Sequence, residues 1–444
     1  MSGTCVSRFE ASQIGSAPRT GPLDWSAARI PTTVAQLDNG LTVVAHCDCK
    51  APVVAVRVVY RAGSRDEAPG KAGLAHICEH LMYSGTMSVP GSYFLPFEQA
   101  GAAYMNARVT EDYSAYFATI PAGALDFALW MEADRMANLA AALDFRKFDR
   151  QREVVRNELR QRESEPYGRA ATTIAALTHS TGHPYSHPPN GILEQLDNIT
   201  HGDALDWIRS HHGAANAVVV IAGDIQTEAA VEKAYKYFAF VPRGAVSKTA
   251  AVSVADDARA SGISIRAAGN RRLYISWPAP EFAHADYAVV KATCELLNGK
   301  DSQLWQRVCV AERLASDITI ELHPRQLGSQ VILSATALPG ISLNVIKTAI
   351  LDELERLCET LSIGDVHKTA VKLFATLVRA SEGVGRPQGK ADTVAIATVL
   401  GGHPEIHHRH LSTFAALNRG LLEAALRRYL NSAAASLEIR ESSD

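Results

Sequence analysis

Short stretches of alternating or continuous apolar residues indicate β-strands in the first part of the chain. Residues 32–37 and 41–46 flank an Asn-Gly pair, a dipeptide typical of a hairpin turn. Residues 53–60 form a third stretch, which we expect to pair beside this hairpin. Residues 217–222, AVVVIA, are apolar throughout, which is typical of a strand that is buried on both faces.

Longer stretches with apolar residues three and four positions apart predict helices. The first spans about residues 73–83, and two long ones follow at 123–141 and 145–163. Residues 104–108 and 114–119 again alternate and predict strands. The pattern therefore predicts a sheet whose strands are separated by helices, with the first helix directly after the third strand.

The order of elements recurs after a small, polar and poorly periodic segment at residues 241–262, which we interpret as a linker. This recurrence predicts two copies of one α+β unit of about 200 residues each. We expect an N-terminal arm at 1–30, a first domain at 31–240 and a second domain at 263–444.

Composition and charge narrow the class of protein. The chain has 444 residues, of which 47% are hydrophobic and 20% charged, with a formal net charge of -3. That length exceeds one ordinary core, which agrees with two domains. The small net charge gives no reason to expect nucleic acid or a membrane as a partner. No apolar run approaches the roughly 18 residues that a membrane span needs.

Two features bear on the compartment. The first twenty residues contain no apolar core of the kind found in secretory signals. The seven cysteines are scattered and odd in number, which is more typical of a reducing compartment than of a disulfide framework. We therefore expect a cytoplasmic protein, or a protein of the bacterial periplasm if the true start lies upstream.

One stretch in the first predicted helix carries side chains that suit metal chemistry. It reads His76-Ile77-Cys78-Glu79-His80, the reverse of the H-E-x-x-H motif of zinc peptidases. In a helix, His76 and His80 lie on one face, where two imidazoles can bind one zinc ion. Glu79 lies beside them, where a general base is needed. The motif predicts a metal-dependent hydrolase.

A catalytic zinc ion usually has three protein ligands, so a third donor is expected. Glu158, 78 residues after His80 in the pattern R-x-x-V-x-x-E, is a candidate. The motif, this spaced glutamate, the two repeated units, G-A-A-Y-M-N-A at residues 101–107 and A-D-R-M at residues 133–136 together resemble the pitrilysin, insulysin and mitochondrial processing peptidase family.

The resemblance implies a fold and a metal site. The fold is α+β, with two homologous α/β units, each a mainly antiparallel sheet packed with helices, that form half of a clamshell. The site holds one Zn²⁺ per chain on His76, His80 and Glu158. Glu79 is the catalytic base. The first domain is then the zinc-binding one.

The resemblance also implies a substrate and a substrate-binding strand. Asn106 and Ala107 match the segment with which family members pair an extended peptide by backbone hydrogen bonds. The chain is then a zinc-dependent endopeptidase that hydrolyses peptides in an enclosed chamber.

The second half departs from the family pattern. When the helix at 285–298 is aligned with the motif helix, Lys291, Cys294 and Glu295 fall at the motif positions, so the second domain is degenerate. Family members usually carry an Arg and a Tyr in this half that bind the substrate. Cys309 and Ser316 stand at those positions here. We therefore expect a heterodimer in which a homologous partner subunit supplies the Arg/Tyr pair.

Less specific interpretations remain beside each assignment. The whole chain could be a non-catalytic or scaffold subunit of a peptidase-like complex. Glu158 could be a solvated helix charge, and Asn106 could lie in a turn. The histidines at 211–212 and 407–410 lack a spaced partner, so we do not interpret them as ligands. The Gly-rich segment at 381–389 is interpreted as a mobile connection, because no phosphate-loop pattern accompanies it.

Overall fold

The chain forms two β-sheets, each packed with helices. The computed structural model describes residues 23–180, 182–246, 262–267, 270–431 and 433–441. We call residues 33–246, which contain the first sheet, the first unit, and residues 262–441, which contain the second sheet, the second unit. Most of the segment predicted to be a linker, residues 247–261, and most of the predicted N-terminal arm, residues 1–22, lie outside the described residues.

The first sheet has six strands in the order β1-β2-β6-β3-β5-β4, and β4 forms one of its edges. The pair β2/β6 is parallel, and the other neighbours are antiparallel. The strands are β1 (Thr33–Gln36), β2 (Thr42–Cys47), β3 (Val53–Tyr60), β4 (Tyr104–Val109), β5 (Ser114–Pro121) and β6 (Ala217–Gly223).

The second sheet has five strands in the order β7-β11-β8-β10-β9. The pair β7/β11 is parallel, and the rest are antiparallel. The strands are β7 (Gly262–Ala267), β8 (Arg272–Ala279), β9 (Ala315–His323), β10 (Ser329–Ala337) and β11 (Ala435–Glu441).

The two sheets repeat one topology. The order β2-β6-β3-β5-β4 and the order β7-β11-β8-β10-β9 contain the same succession of one parallel and three antiparallel pairs. This confirms the α+β fold with two repeated units. One detail of the prediction is wrong: β3 does not lie beside the hairpin, because β6 inserts between β2 and β3. A strand as apolar as β6 is most stable at the centre of the sheet, where both of its faces are buried.

Fourteen helices are described, seven in each unit. Those of the first unit are α1 (Leu74–Leu81), α2 (Phe94–Gln99), α3 (Leu125–Ala142), α4 (Phe145–Ser164), α5 (Ala170–Thr178), α6 (His201–His211) and α7 (Thr227–Phe238). Those of the second are α8 (Tyr287–Leu297), α9 (Gln303–Trp305), α10 (Leu343–Thr360), α11 (Ile363–Glu382), α12 (Lys390–Gly401), α13 (Glu405–Ala415) and α14 (Arg419–Tyr429). A π-helix, Gln306–Ala311, follows α9 directly. None of the described helices is long and apolar enough to cross a membrane.

Each unit covers one face of the other unit's sheet. Helix α12 of the second unit packs on β6 and β3, where it buries Val220 and Ala55 together with Val394. Helix α5 of the first unit packs on β11 and β8, where Ile174 meets Leu437. The opposite face of each sheet is covered by helices of its own unit. This reciprocal packing explains why the central strands are apolar on both faces.

The segment at 381–389 is not a free connection between helices. The carbonyl of Gly385 accepts hydrogen bonds from Thr119 Oγ1, at 3.0 Å, and from the Arg57 guanidinium. Arg57 Nε in turn donates to Asp392 Oδ1 at 2.7 Å, and both side chains are almost fully buried. A Cβ at position 385 would collide with Thr119, so only glycine allows this approach. The segment therefore fastens the second unit to the first sheet.

Residues 23–30 lie against the second unit. The Trp25 ring contacts Phe374 edge-on, with 5.4 Å between ring centroids. It also contacts Phe414 in a tilted arrangement, with 5.8 Å between centroids. His407 Nε2 lies 3.0 Å from the carbonyl oxygen of Ala28, and the neighbouring His408 accepts from the Ile30 N–H. The histidines at 407–408 thus bind backbone groups of residues 28 and 30. This structural role agrees with the interpretation that they are not metal ligands.

Candidate metal centre

Helix α1 carries the motif and begins at a buried carboxylate. Gly73, at φ +110°, precedes the first helical residue and has no side chain with which to cap it. The Glu67 side chain does this instead, because its oxygens accept from the N–H groups of Gly73 and Ala75, the latter at 2.8 Å. One face of α1 buries Ile77 and Leu81 in the core of the first unit. The motif side chains lie on the other face.

His76, His80 and Glu158 converge on one point between α1 and α4. His76 Nε2 lies 3.5 Å from one Glu158 oxygen, and His80 Nε2 lies 3.6 Å from the other. The two imidazole rings are 5.0 Å apart between centroids. One donor atom from each residue lies within 4.8 Å of the others, and within the described residues this is the one group of three or more metal-type donors that converges so closely. Two imidazoles and a carboxylate are a ligand set that suits zinc.

Hydrogen bonds orient both imidazoles toward this point. His76 Nδ1 lies 3.2 Å from the carbonyl oxygen of Asn190, so this nitrogen donates and Nε2 presents its lone pair. The His80 ring makes a hydrogen bond with the side chain of Gln151 on α4. Burial lowers the pKa of His76 to about 4 and also lowers the pKa of His80. Both rings are therefore neutral at pH 7, which is the form that binds a metal ion.

Glu79 lies beside the group in a buried position. Burial, followed by the charge of Glu158, raises the pKa of Glu79 to about 7. A hydrogen bond from the N–H of Val109 and the charge of Arg108, both on β4, act in the opposite direction. A carboxylate whose pKa lies near 7 is suited to exchange protons near neutral pH.

The group opens into a cleft of about 730 Å³ that the edge strand β4 borders. Asn106 and Ala107 lie in β4 and line the cleft, so Asn106 is not in a turn. The Ala107 N–H donates to Asn106 Oδ1 at 2.9 Å. The cleft is lined by His76, Glu79, His80, Tyr83, Ser84, Gly91, Ser92, Phe94, Asn106, Ala107, Lys147, Arg150, Gln151 and Glu158.

The second-unit residues that align with the motif, and those at the expected Arg and Tyr positions, do not line this cleft. Cys294 lies on α8 and is buried in the core of the second unit. Glu295 pairs with Lys372 at 3.9 Å. Cys309 lies in the π-helix, and Ser316 lies in β9, where its hydroxyl donates to the Thr336 carbonyl. Among the described residues, all those that line the cleft belong to the first unit.

Sequence reasoning missed two residues that support the motif. Glu67 caps α1, and Asn190 orients His76, yet neither belongs to a motif in the sequence. Asn190 acts through its backbone carbonyl, a group that every residue has, so the sequence cannot indicate this role. Glu67 lies six residues before Gly73, the N-cap of α1. Its capping role depends on the path of the intervening loop, which the sequence does not show. Gln151 on α4 lies outside the H-x-x-E-H motif, and its side chain makes a hydrogen bond with His80.

The fold and this site together define a class of protein that is built from two repeated α/β units, with a motif helix in the first unit. The crystal structure of a protease from Helicobacter pylori superposes with a TM-score of 0.85 at 23% identity, covering 93% of this chain and 99% of that one. Two family models match in succession. Insulinase (peptidase family M16) matches residues 42–185, and the peptidase M16 inactive domain matches residues 198–370. The chain belongs to peptidase family M16.

Curated relatives include both peptidases and a respiratory subunit. The zinc protease PqqE of Helicobacter pylori is 28% identical over 338 residues, 74% of each chain. The mitochondrial-processing peptidase subunit beta of Neurospora crassa is 26% identical, over 81% of this chain and 77% of that one. Subunit 1 of the Bos taurus cytochrome b-c1 complex is 27% identical, over 47% of this chain and 42% of that one.

Proposed function

We propose that this protein is a zinc-dependent endopeptidase and that His76, His80 and Glu158 hold one zinc ion. The observation that carries the proposal is the convergence of these three donors within 4.8 Å, with the Glu79 carboxylate beside them in the same cleft. Membership of peptidase family M16 and similarity to a zinc protease support it.

The side chains divide the work of peptide hydrolysis. A zinc ion held by His76, His80 and Glu158 would supply Lewis-acid chemistry for a scissile carbonyl and a water molecule. Glu79 accepts the proton of that water and passes it to the leaving amine, a role that suits a carboxylate of raised pKa. Asn190 and Gln151 hold the two imidazoles in place. Glu158 would contribute a negative charge that partly balances the charge of a divalent cation.

The substrate is a peptide in extended conformation that lies along β4. An edge strand offers backbone groups to a further strand, and β4 borders the cleft beside Glu79. The Ala107 N–H now bonds to the Asn106 side chain, a contact that an incoming carbonyl can replace. Asn106 and Ala107 would then fix the register of the peptide against Glu79.

Metal content and two carboxylate variants test this proposal. We expect the purified protein to bind one zinc ion and Glu79→Gln to retain it while hydrolysis of a short peptide falls by about 10²- to 10⁴-fold. Glu158→Gln should lose the metal. Glu153→Gln, which removes a carboxylate of similar exposure on the same helix, is the control and should keep both properties. Hydrolysis at the wild-type rate by Glu79→Gln would contradict the mechanism.

We further propose that the active form is a heterodimer. Cys309 and Ser316 cannot replace a guanidinium and a phenol in binding a substrate backbone, and none of the described residues of the second unit lines the cleft. A homologous subunit that carries an Arg/Tyr pair would close the chamber over the cleft. Similarity to the beta subunit of a mitochondrial-processing peptidase supports this arrangement.

The heterodimer is tested by assaying the chain alone and together with homologous chains from neighbouring genes. We expect weak cleavage of a short peptide by the isolated chain and a large increase with the correct partner. Full activity of the isolated chain would rule the heterodimer out.

The second candidate function is that of a non-catalytic subunit. The match to the peptidase M16 inactive domain over residues 198–370 and the similarity to a cytochrome b-c1 subunit favour it. Zinc content separates the two candidates, because a scaffold subunit has no need of a bound metal ion. A protein that binds no zinc at pH 7.5 would favour the scaffold.

For the compartment we propose the cytoplasm, with the bacterial periplasm as the alternative. The seven cysteines are scattered and odd in number, which is more typical of a reducing environment than of a disulfide framework. Fractionation of the native cells with a periplasmic marker decides between the two.

A further inference from the structure

One loop connects the second unit to a proposed zinc ligand. We call residues 183–192, between α5 and α6, the orienting loop. Its Asn190 carbonyl accepts from His76 Nδ1, at 3.2 Å. Its Gly191 backbone, at φ +94°, lies directly against the backbone of Gly73, the N-cap of α1; a Cβ at Gly191 would come within 2.5 Å of Gly73 Cα. The loop and the start of the motif helix therefore have little freedom to move separately.

A buried histidine–carboxylate pair fixes the same junction. His187 Nε2 lies 2.8 Å from Glu67 Oε2, and the Glu67 side chain is fully buried. The other Glu67 oxygen accepts from the Ala75 N–H, at 2.8 Å, so this carboxylate joins the orienting loop to α1. A buried carboxylate requires such donors. If His187 is lost, Glu67 loses the partner that ties it to the loop.

The N-terminal part of the orienting loop makes hydrogen bonds to the second unit. The Tyr185 hydroxyl donates to Asp112 Oδ1, at 2.6 Å, and accepts from the Leu327 N–H, at 2.9 Å. The Gln326 N–H donates to the second oxygen of Asp112, at 3.0 Å. Two consecutive backbone N–H groups between β9 and β10 thus bind a buried acid–phenol pair of the first unit.

We propose that His187 is a positioning residue for the zinc site, and that the second unit acts on the site through the orienting loop. The described part of the second unit supplies no ligand, but it holds Tyr185. The same loop carries Asn190, and the Asn190 carbonyl directs the His76 ring. His187 and Glu67 set the position of the loop against α1. This inference rests on the proposed function, because it concerns the affinity of the same site for zinc.

The test measures zinc affinity by competition with a chelator, together with the visible absorption spectrum of the Co²⁺-substituted protein. We expect His187→Leu to weaken zinc binding by about tenfold or more and to change the Co²⁺ spectrum, because partners that orient a ligand contribute on this scale. His187→Gln, which keeps an N–H donor, should recover most of the affinity. Tyr185→Phe should weaken binding in the same direction by a smaller factor.

The control is His410→Leu in the second unit. His410 is also half-buried and bonds to one backbone carbonyl, that of Phe282, at 3.1 Å, and its ring packs on Phe282 and Tyr287 of the second unit. We expect this variant to lose thermal stability and to keep wild-type zinc affinity. An equal loss of affinity in His410→Leu would mean that general destabilisation explains the effect, and would overturn the proposal.

The remaining outcomes are also decisive. Wild-type zinc affinity in His187→Leu would show that His187 is only structural. Wild-type affinity in Tyr185→Phe would remove the second unit from the proposal. Failure of the wild-type protein to bind zinc would instead contradict the proposed function, so the two failures can be told apart.

Discussion

At the scale of single residues, burial determines the protonation state of the histidines. His76 and His80 are held neutral in the site. His212 at the end of α6 is buried in the core of the first unit, with its ring edge-on to Tyr60 at 4.4 Å. Burial lowers the pKa of His212 to about 3. A neutral histidine therefore serves as a packing group there, which agrees with its lack of a spaced metal partner in the sequence.

Replacing His212 should change how stability depends on pH. The folded pKa lies below the unfolded value of about 6.5, so the unfolded state takes up the proton first and stability falls as pH drops from about 6.5 toward 3. His212→Phe removes this contribution and should make the decline shallower by up to about 1.4 kcal/mol per pH unit. Urea unfolding at pH 7.0, 6.0 and 5.0 measures the slope. His367→Gln, an exposed histidine on α11, is the control; an unchanged slope in His212→Phe would contradict the prediction.

At the scale of elements, α1, α4 and β4 bring the site together. Helix α1 presents the two imidazoles, α4 presents Glu158, and β4 borders the cleft and donates the Val109 N–H to Glu79. The proposed base is thus tied to the proposed substrate strand. A change in the backbone of β4 should affect substrate binding before it affects the metal.

Ala107→Pro tests the role of β4 in substrate binding. Proline removes the Ala107 N–H, and an edge strand tolerates proline better than a central one. We expect zinc content to stay at the wild-type level and KM for a peptide to rise by about tenfold, the value of one lost backbone hydrogen bond. Ala107→Ser keeps the N–H and should behave as wild type. Equal KM values for the two variants would show that this N–H does not bind substrate.

At the scale of the whole molecule, the two units form a single packed structure. Helix α12 covers the first sheet and α5 covers the second, so neither unit buries both faces of its own sheet. The buried pair Arg57–Asp392 and the Gly385 carbonyl lie at one of these contacts. The second unit therefore supports the sheet that borders the site.

Removing the buried Asp392 carboxylate should destabilise the whole chain. Asp392→Ala leaves the Arg57 guanidinium buried without its charge partner, which costs about 3 to 5 kcal/mol. Urea unfolding measures the loss. The double variant Arg57→Met/Asp392→Leu removes both charges and should recover much of the stability. A single variant as stable as the wild type would show that the pair does not hold the units together.

Local patterns in the sequence were sufficient to predict most elements of the first unit. Period-two runs predicted β1 to β5, and the apolar run predicted β6. Local patterns are less informative in the second unit: they indicate no strand at β9 or β11 and no helix at α13, and the helical pattern at 302–310 corresponds to α9 followed by a π-helix. β11 begins at Ala435 and pairs with β7 and β8, more than 150 residues away, so no local pattern indicates its partner.

The sequence by itself determined most of the chemical groups of the candidate site, because residue types at fixed helical spacing specify which groups can act together. His76, Glu79 and His80 form a motif within one turn of helix, and the resemblance added Glu158, which the structure brings beside them. Only the tertiary structure decided what supports them. Glu67, His187 and Asn190 act through hydrogen bonds across loops, whose paths depend on how the whole chain packs. The exchange of α5 and α12 between the sheets is likewise decided by long-range burial, for which sequence spacing gives no signal.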